Sequence, residues 1–144
     1  MTAVAFSTPT AGARYLLDTN TLIYAQKQLG RCLEAIERHA PDALAWSVIS
    51  LQELSLGVAK SSHPQRVHAY LAELRRRYRL FDYTAECAAQ AGALQGSLQR
   101  LGTPIGPYDL QIAGIALAHD LTVVTRNTRE FSRVPNLKIE DWYD

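Results

Sequence analysis

Sulfur is scarce in this chain of 144 residues, which carries two cysteines and a single methionine. Cys32 and Cys87 lie on apolar segments, too few for a disulfide framework and without metal-ligand spacing, so both read as reduced core thiols. Long apolar runs are also missing, and none approaches the ~20 residues of a membrane-spanning helix. The leader, residues 1–13, has neither the basic start nor the apolar stretch of a secretory signal and reads as a flexible N-terminal extension. These features predict a cytoplasmic protein with no membrane contact. Charge of one sign is wanting too: 15 Lys and Arg face 14 Asp and Glu, a net charge of +1. That excludes a polycation that coats nucleic acid and leaves room for a local basic patch. No Gly-x-Gly-x-x-Gly occurs, so a dinucleotide fold has no support. His39, His63, His68 and His119 lack the spacing of a zinc site.

What the chain does have is an ordinary globular composition, 47% apolar and 20% charged, at the size of one domain. Arg14-Tyr15-Leu16-Leu17 suits a buried strand and stops at the cap and turn residues Asp18-Thr19-Asn20-Thr21. A helix through Leu22, Ile23 and Ala25 follows, then an amphipathic helix from Leu29 to Ala40. Ala43–Trp46 reads as a second strand and Ser47–Ala59 as a helix. Val67, Tyr70, Leu71, Leu74 and Tyr78 mark another helix after Pro64, and Leu80–Tyr83 a third strand. Thr84 caps a long helix that Gly102 stops. A Pro/Gly loop leads to a helix beginning near Asp109. Leu121–Thr125 is the clearest strand, followed by a turn or helix around Thr128–Phe131 and a last strand near Leu137–Ile139. Strands separated by helices predict a parallel sheet covered on both faces, with the ligand site at the carboxyl ends of the strands. Asp18 and Thr125 both fall there.

Four acidic residues could serve that site. Asp18 is either a helix cap or a ligand. Glu53, in Ser50-Leu51-Gln52-Glu53-Leu54, matches a capping box, but a helix starting at Ser47 would leave it partly buried among leucines and in need of a partner. Asp109 is either the cap of an apolar helix or a site residue beside a stiff loop. Glu130 is locally no more than half of a surface pair with Arg129, and Asn127 could orient water or act as a ligand. As a set, carboxylates without histidine or cysteine suit Mg²⁺ or Mn²⁺ rather than zinc. Such an ion polarises a phosphodiester and activates water.

These residues carry a resemblance. Leu16-Leu17-Asp18-Thr19-Asn20, Glu53-Leu54, the run from Pro104 through Asp109 to Gly114, and the run from Val123 through Glu130 to Phe131 resemble the PIN-domain ribonucleases. The match is closest to the VapC toxins of bacterial toxin–antitoxin pairs. Even Arg133–Leu137 and Glu140-Asp141-Trp142 are similar to the VapC ending. The resemblance spans Tyr15 to Trp142 and implies a PIN domain over 14–144, a three-layer α/β/α sandwich around a central parallel sheet. It further implies Asp18, Glu53 and Asp109 as metal-binding catalytic carboxylates, with Glu130 a fourth catalytic acid and Thr19, Asn20 and Thr125 lining the site. Asn127 stands where other PIN domains have Asp, so either Glu130 or Asn127 supplies the fourth position. The implied activity is hydrolysis of RNA, tRNA in particular, with a VapB-type antitoxin as partner and a homodimer or hetero-oligomer as the assembly. The leader departs from the pattern.

Between Lys60 and Phe81 six cations face one anion. Arg75, Arg76 and Arg77 of that stretch, with Arg126 and Arg129, are candidate RNA-phosphate contacts. Gly92 and Gly96 predict close helix–helix approach, internal or across a dimer. Two other functions compete: a non-catalytic module that binds RNA or protein through the basic helix, and a haloacid-dehalogenase-like phosphatase with Asp18 as nucleophile. The second lacks its Asp-x-Asp, since Asn20 stands at the second position.

Overall fold

The computed structural model describes residues 12–144; residues 1–11, most of the expected N-terminal extension, lie outside the described residues. Ala13 already packs against the core. The elements are β1 (Tyr15–Leu17), α1 (Thr19–Lys27), α2 (Cys32–Glu37), β2 (Leu44–Ser47), α3 (Val48–Lys60), α4 (Pro64–Arg77), β3 (Arg79–Phe81), α5 (Ala85–Leu101), α6 (Pro107–His119), β4 (Thr122–Val124), α7 (Thr128–Phe131) and β5 (Ile139–Glu140).

The five strands form one sheet in the order β3-β2-β1-β4-β5, and every pairing is parallel. Strands as short as Leu16-Leu17 and Val123-Val124 hold because both faces are covered. Leu16 and Val123 join one buried cluster with residues of α5, α6 and α7. Leu17 and Val124 join the opposite one with Trp46 and residues of α1, α2 and α4. This is the expected α/β/α sandwich. The chain lays β2 and β3 on one side of β1 and then crosses to place β4 on the other. The reversal opens a crevice between the carboxyl ends of β1 and β4, where open α/β sheets bind ligands.

Local departures from the sequence reading have physical causes. The helix expected from Leu29 begins only at Cys32, because Gly30 adopts φ 61° and breaks the chain direction. The α6 helix starts at Pro107 rather than at Asp109. Proline costs nothing at a first helical position, where its missing N–H has no partner to lose. Asp109 is therefore in the first turn and does not cap the helix. The close helix–helix approach also differs. A Cβ on Gly92 would meet nothing within 4 Å, whereas one on Gly114 of α6 would come within 2.8 Å of the Cys87 carbonyl oxygen and 2.9 Å of Ala91 Cβ. Gly114 is the residue that lets α6 lie against α5.

Two substitutions separate these roles. Gly114→Ala should destabilise the fold by roughly 1–3 kcal/mol through overpacking, while Gly92→Ala should stabilise it by up to about 1 kcal/mol through helix propensity alone. Urea unfolding of both variants checks this; a loss of stability in Gly92→Ala would contradict it.

Candidate active site

Asp18 is the N-cap of α1, directly after β1, and is only 5% exposed. Its Oδ1 accepts the Thr19 N–H at 2.6 Å and its Oδ2 accepts the Thr125 hydroxyl at 2.8 Å. Capping and site roles thus coincide: one oxygen caps the helix while the other faces the crevice neighbour from β4. Thr125 is fully buried and its Oγ1 in turn accepts the Asn127 backbone N–H at 2.9 Å.

Glu53 belongs to α3, whose N-cap is Ser47. The capping-box reading therefore fails, and Ser50 is free for another task. It shares a 2.8 Å hydrogen bond with Thr19 Oγ1, and the Thr19 hydroxyl donates to Glu53 Oε1 at 2.6 Å. With Thr19 committed to Glu53, Ser50 is the donor of that pair. Ser50 is completely buried and is the residue of this hydrogen-bond chain that sequence reasoning missed. The available signal was its place one helical turn before Glu53, on the same face.

The fourth side of the crevice is built by Asn127. Its Nδ2 donates to Asp109 Oδ2 at 2.9 Å and to Glu130 Oε2 at 3.1 Å, so the residue holds two carboxylates with one amide. Glu130 Oε1 accepts the Gly106 N–H at 2.8 Å, and Arg133 Nη1 donates to the Pro104 carbonyl at 2.7 Å. These two contacts pin the Pro/Gly loop that delivers Asp109.

The charges confirm the convergence. Burial, first, and then the negative charges of Asp18 and Glu130 push the Asp109 carboxyl up to about 6, against the pull of Asn127; Glu53 adds to the push. Burial likewise raises Asp18 above the usual carboxylate range, opposed by its hydrogen bonds from Thr125 and Thr19 and reinforced by Glu53. Glu130 moves the other way, lowered by the Gly106 N–H and by Asn127. Carboxylates from four segments thus repel one another in one crevice, a deficit that a hard cation relieves. Among the described residues, no three Asp, Glu, His or Cys side chains are grouped tightly enough to ligate one ion together as placed. Mg²⁺ keeps several waters and needs only one or two carboxylates, so the all-oxygen donor set fits such an ion.

The other expected site residues are distributed unevenly. Asn20 is exposed on the first turn of α1 and supplies no second acid beside Asp18. Arg129 is exposed on α7, next to Glu130. Arg75, Arg76 and Arg77 form the last turn of α4, immediately before β3 begins. They lie at the amino ends of the strands, away from the carboxylates, and favour the negative helix end there. Arg76 pairs with Glu73, and Arg77 lies 3.7 Å from the same residue. Arg126 turns from the crevice and pairs with Asp141 and Asp144.

Comparison with known proteins agrees with this fold. A model of the PIN domain matches residues 15–137. The tRNA(fMet)-specific endonuclease VapC of Salmonella typhimurium is 39% identical over 90% of this chain and 98% of its own length. Ribonuclease VapC2 of Rickettsia felis is 38% identical over 89% and 97%. Among solved structures, DNA-bound VapBC from Salmonella typhimurium superposes with a TM-score of 0.83 at 39% identity, covering 90% of this chain and 98% of that one. VapBC2 from Rickettsia felis, bound to a promoter DNA fragment, gives 0.82 at 36% identity, covering 89% and 98%.

The raised carboxyls make the metal-free fold less stable as pH rises. Below pH 4 Asp109 is protonated in folded and unfolded chains alike. Between about pH 4 and 6 the unfolded chain ionises first, and stability falls. In a chelator, thermal melting should decline over that window, and Asp109→Asn should flatten the decline and stabilise the protein at pH 7 by roughly 1–3 kcal/mol. A variant less stable than wild type at pH 7 would contradict the repulsion.

Proposed function

Since the chain belongs to the PIN-domain family and, within it, to the VapC-type ribonucleases, we propose that it is a Mg²⁺- or Mn²⁺-dependent endoribonuclease that hydrolyses tRNA as the toxin of a VapBC-type pair. The observation that carries the metal-dependent reading is the set of hydrogen bonds that holds Asp18, Glu53, Asp109 and Glu130 about one crevice, where burial and neighbouring carboxylates push the Asp109 carboxyl up. Holding like charges together costs stability, and the scaffold commits Thr19, Thr125 and Asn127 to doing so.

Asp18, Glu53 and Asp109 are the residues that would hold the ion, one or two of them directly and the others through water, since no three acids among the described residues are grouped tightly enough to ligate it together. When bound, it supplies Lewis acidity to the phosphodiester and lowers the pKa of water. Thr125 and the α1 amide fix both oxygens of Asp18, Thr19 fixes Glu53, and Asn127 holds Asp109 and Glu130 at their separation. Glu130, whose carboxyl is lowered by the Gly106 N–H and by Asn127, would orient water, with Asn127, at the fourth position. Because water and not the ribose 2′-hydroxyl attacks, the products carry a 5′-phosphate and a 3′-hydroxyl. Arg129, exposed beside Glu130, is the phosphate contact nearest the reaction, while Arg75, Arg76 and Arg77 can touch only RNA that extends to the far end of the sheet.

The relatives' names support the remaining parts. One is a tRNA(fMet)-specific endonuclease, and solved neighbours are VapBC complexes. A VapB-type antitoxin is thus the expected partner here, and a tRNA substrate would put the reaction in the cytoplasm.

Purified protein with Mg²⁺ or Mn²⁺ should cut bulk tRNA into discrete fragments. Chelator and Asp109→Asn should each abolish cleavage, and Asn127→Ala should lower it about 10- to 100-fold, as loss of a ligand's supporting hydrogen bond does. A 2′,3′-cyclic phosphate at the new ends would overturn the mechanism. Neither cleavage nor metal binding would leave the non-catalytic binding module.

A further inference from the structure

Three consecutive residues follow β4. Thr125 and Asn127 point to the carboxylates, as described; Arg126 between them points away. What it meets is the segment 141–144. The Arg126 guanidinium carbon lies 3.8 Å from the centroid of the Tyr143 ring, and its Nη1 is 3.5 Å from Asp141 Oδ2 and 3.5 Å from Asp144 Oδ2.

The segment is itself held from several sides. Tyr143 meets Tyr24 of α1 edge-on at 4.9 Å, and its carbonyl accepts the Arg31 N–H at 2.7 Å. Gly30 lies beneath it at φ 61°, where a Cβ would fall 2.6 Å from the Tyr143 carbonyl oxygen and 2.7 Å from its ring Cγ. Trp142 is buried, stacks on His39 at 4.5 Å and donates its indole N–H to Glu140 Oε1 at 2.8 Å. The strand it leaves is tied to the same loop, since the Thr125 N–H donates to the Glu140 carbonyl at 2.8 Å.

A single exposed ion pair would contribute little. Here a planar guanidinium is stacked on an aromatic face and shared between two carboxylates, an arrangement that fixes its orientation. The local charge is one cation against two anions. That makes Arg126 a poor phosphate contact and a good tether.

We propose that residues 141–144 form an active-site latch, in which Tyr143, Asp141 and Asp144 hold Arg126 and thereby fix the backbone from which Thr125 and Asn127 reach the carboxylates. Arg126 is a positioning residue, not an RNA contact. The inference rests on the reading of the crevice as the hydrolytic site.

Four variants test it: Tyr143→Ala, Tyr143→Phe, Arg126→Ala and Gly30→Ala, the last displacing Tyr143 without touching the loop. Two readouts are needed, steady-state tRNA cleavage at several salt concentrations and hydrogen exchange of the Asn127 amide, which is held by Thr125 Oγ1 and reports loop opening without RNA or metal. The latch predicts that Tyr143→Ala, Arg126→Ala and Gly30→Ala lower kcat about tenfold or more, leave KM and its salt dependence unchanged, and speed Asn127 exchange. Tyr143→Phe, which keeps the ring, should stay within about twofold of wild type in both readouts. If Arg126→Ala instead raises KM and reduces the salt slope by about one, Arg126 is a phosphate contact. If Tyr143→Ala lowers only the melting temperature, with kcat and Asn127 exchange unchanged, the segment is packing alone; either result overturns the latch. Should wild-type protein fail to cleave, the proposed function fails, and the exchange rates still decide the latch.

Discussion

Mutual repulsion among carboxylates, confined where β1 and β4 end, is the constraint around which the rest of the molecule is arranged. Asp18 is buried there, and the charges of Asp18, Glu130 and Glu53 raise the cost of ionising Asp109, as the charge of Glu53 does for Asp18. Each acid of the cluster is held by at least one hydrogen-bond donor. The sheet order supplies the place, because the reversal beside β1 leaves a crevice where two strands end. The packed layers on either side supply the rigidity.

The donors come from different elements, and each has a second job. Thr19 is in the first turn of α1 and passes a hydrogen bond from Ser50 to Glu53. Thr125 ends the run after β4 and couples the Asn127 backbone to Asp18. Asn127 bridges Asp109 and Glu130 with one amide group. An Asp at position 127 would add a further like charge to a crevice that already holds several; the amide instead donates. Glu130, anchored by the loop amide of Gly106, ties the arrival of α6 to α7. The outer face of the segment 125–127 meets Tyr143 through Arg126, so the inner and outer contacts of three adjacent residues act on one stretch of backbone.

Much of this was legible in the sequence, for identifiable reasons. Strands buried on both faces appear as short apolar runs, and Tyr15–Leu17 and Thr122–Val124 fall within runs of that kind. Asp18 stood out because it ends the first strand, where the ligand site of an open sheet lies, and Glu53 because an acid beside leucines needs a partner. The misreadings share one origin, the use of local pattern where a distant contact decides. Ser50 was hidden by a capping-box spacing that Ser47 had already satisfied. Gly114 looks like an ordinary small residue of an apolar helix until Cys87 and Ala91 are brought against it. Arg126 and Tyr143 are far apart in the chain, and nothing periodic relates them. The arginines at the end of α4 form a visible charge run, yet the direction of the chain into β3 carries them away from the crevice.

The central claim, that a strained carboxylate cluster is a cation site, is tested most directly by calorimetric titration of Mn²⁺ in two buffers of different ionisation enthalpy. Near pH 6 Asp109 is partly protonated, so binding must displace a fraction of a proton, and the fraction must fall towards zero by pH 8. The account predicts that release in wild-type protein and its reduction in Asp109→Asn, where Asp18 is the remaining raised carboxyl. Binding with no proton release at pH 6, or no binding by the wild type, would contradict it.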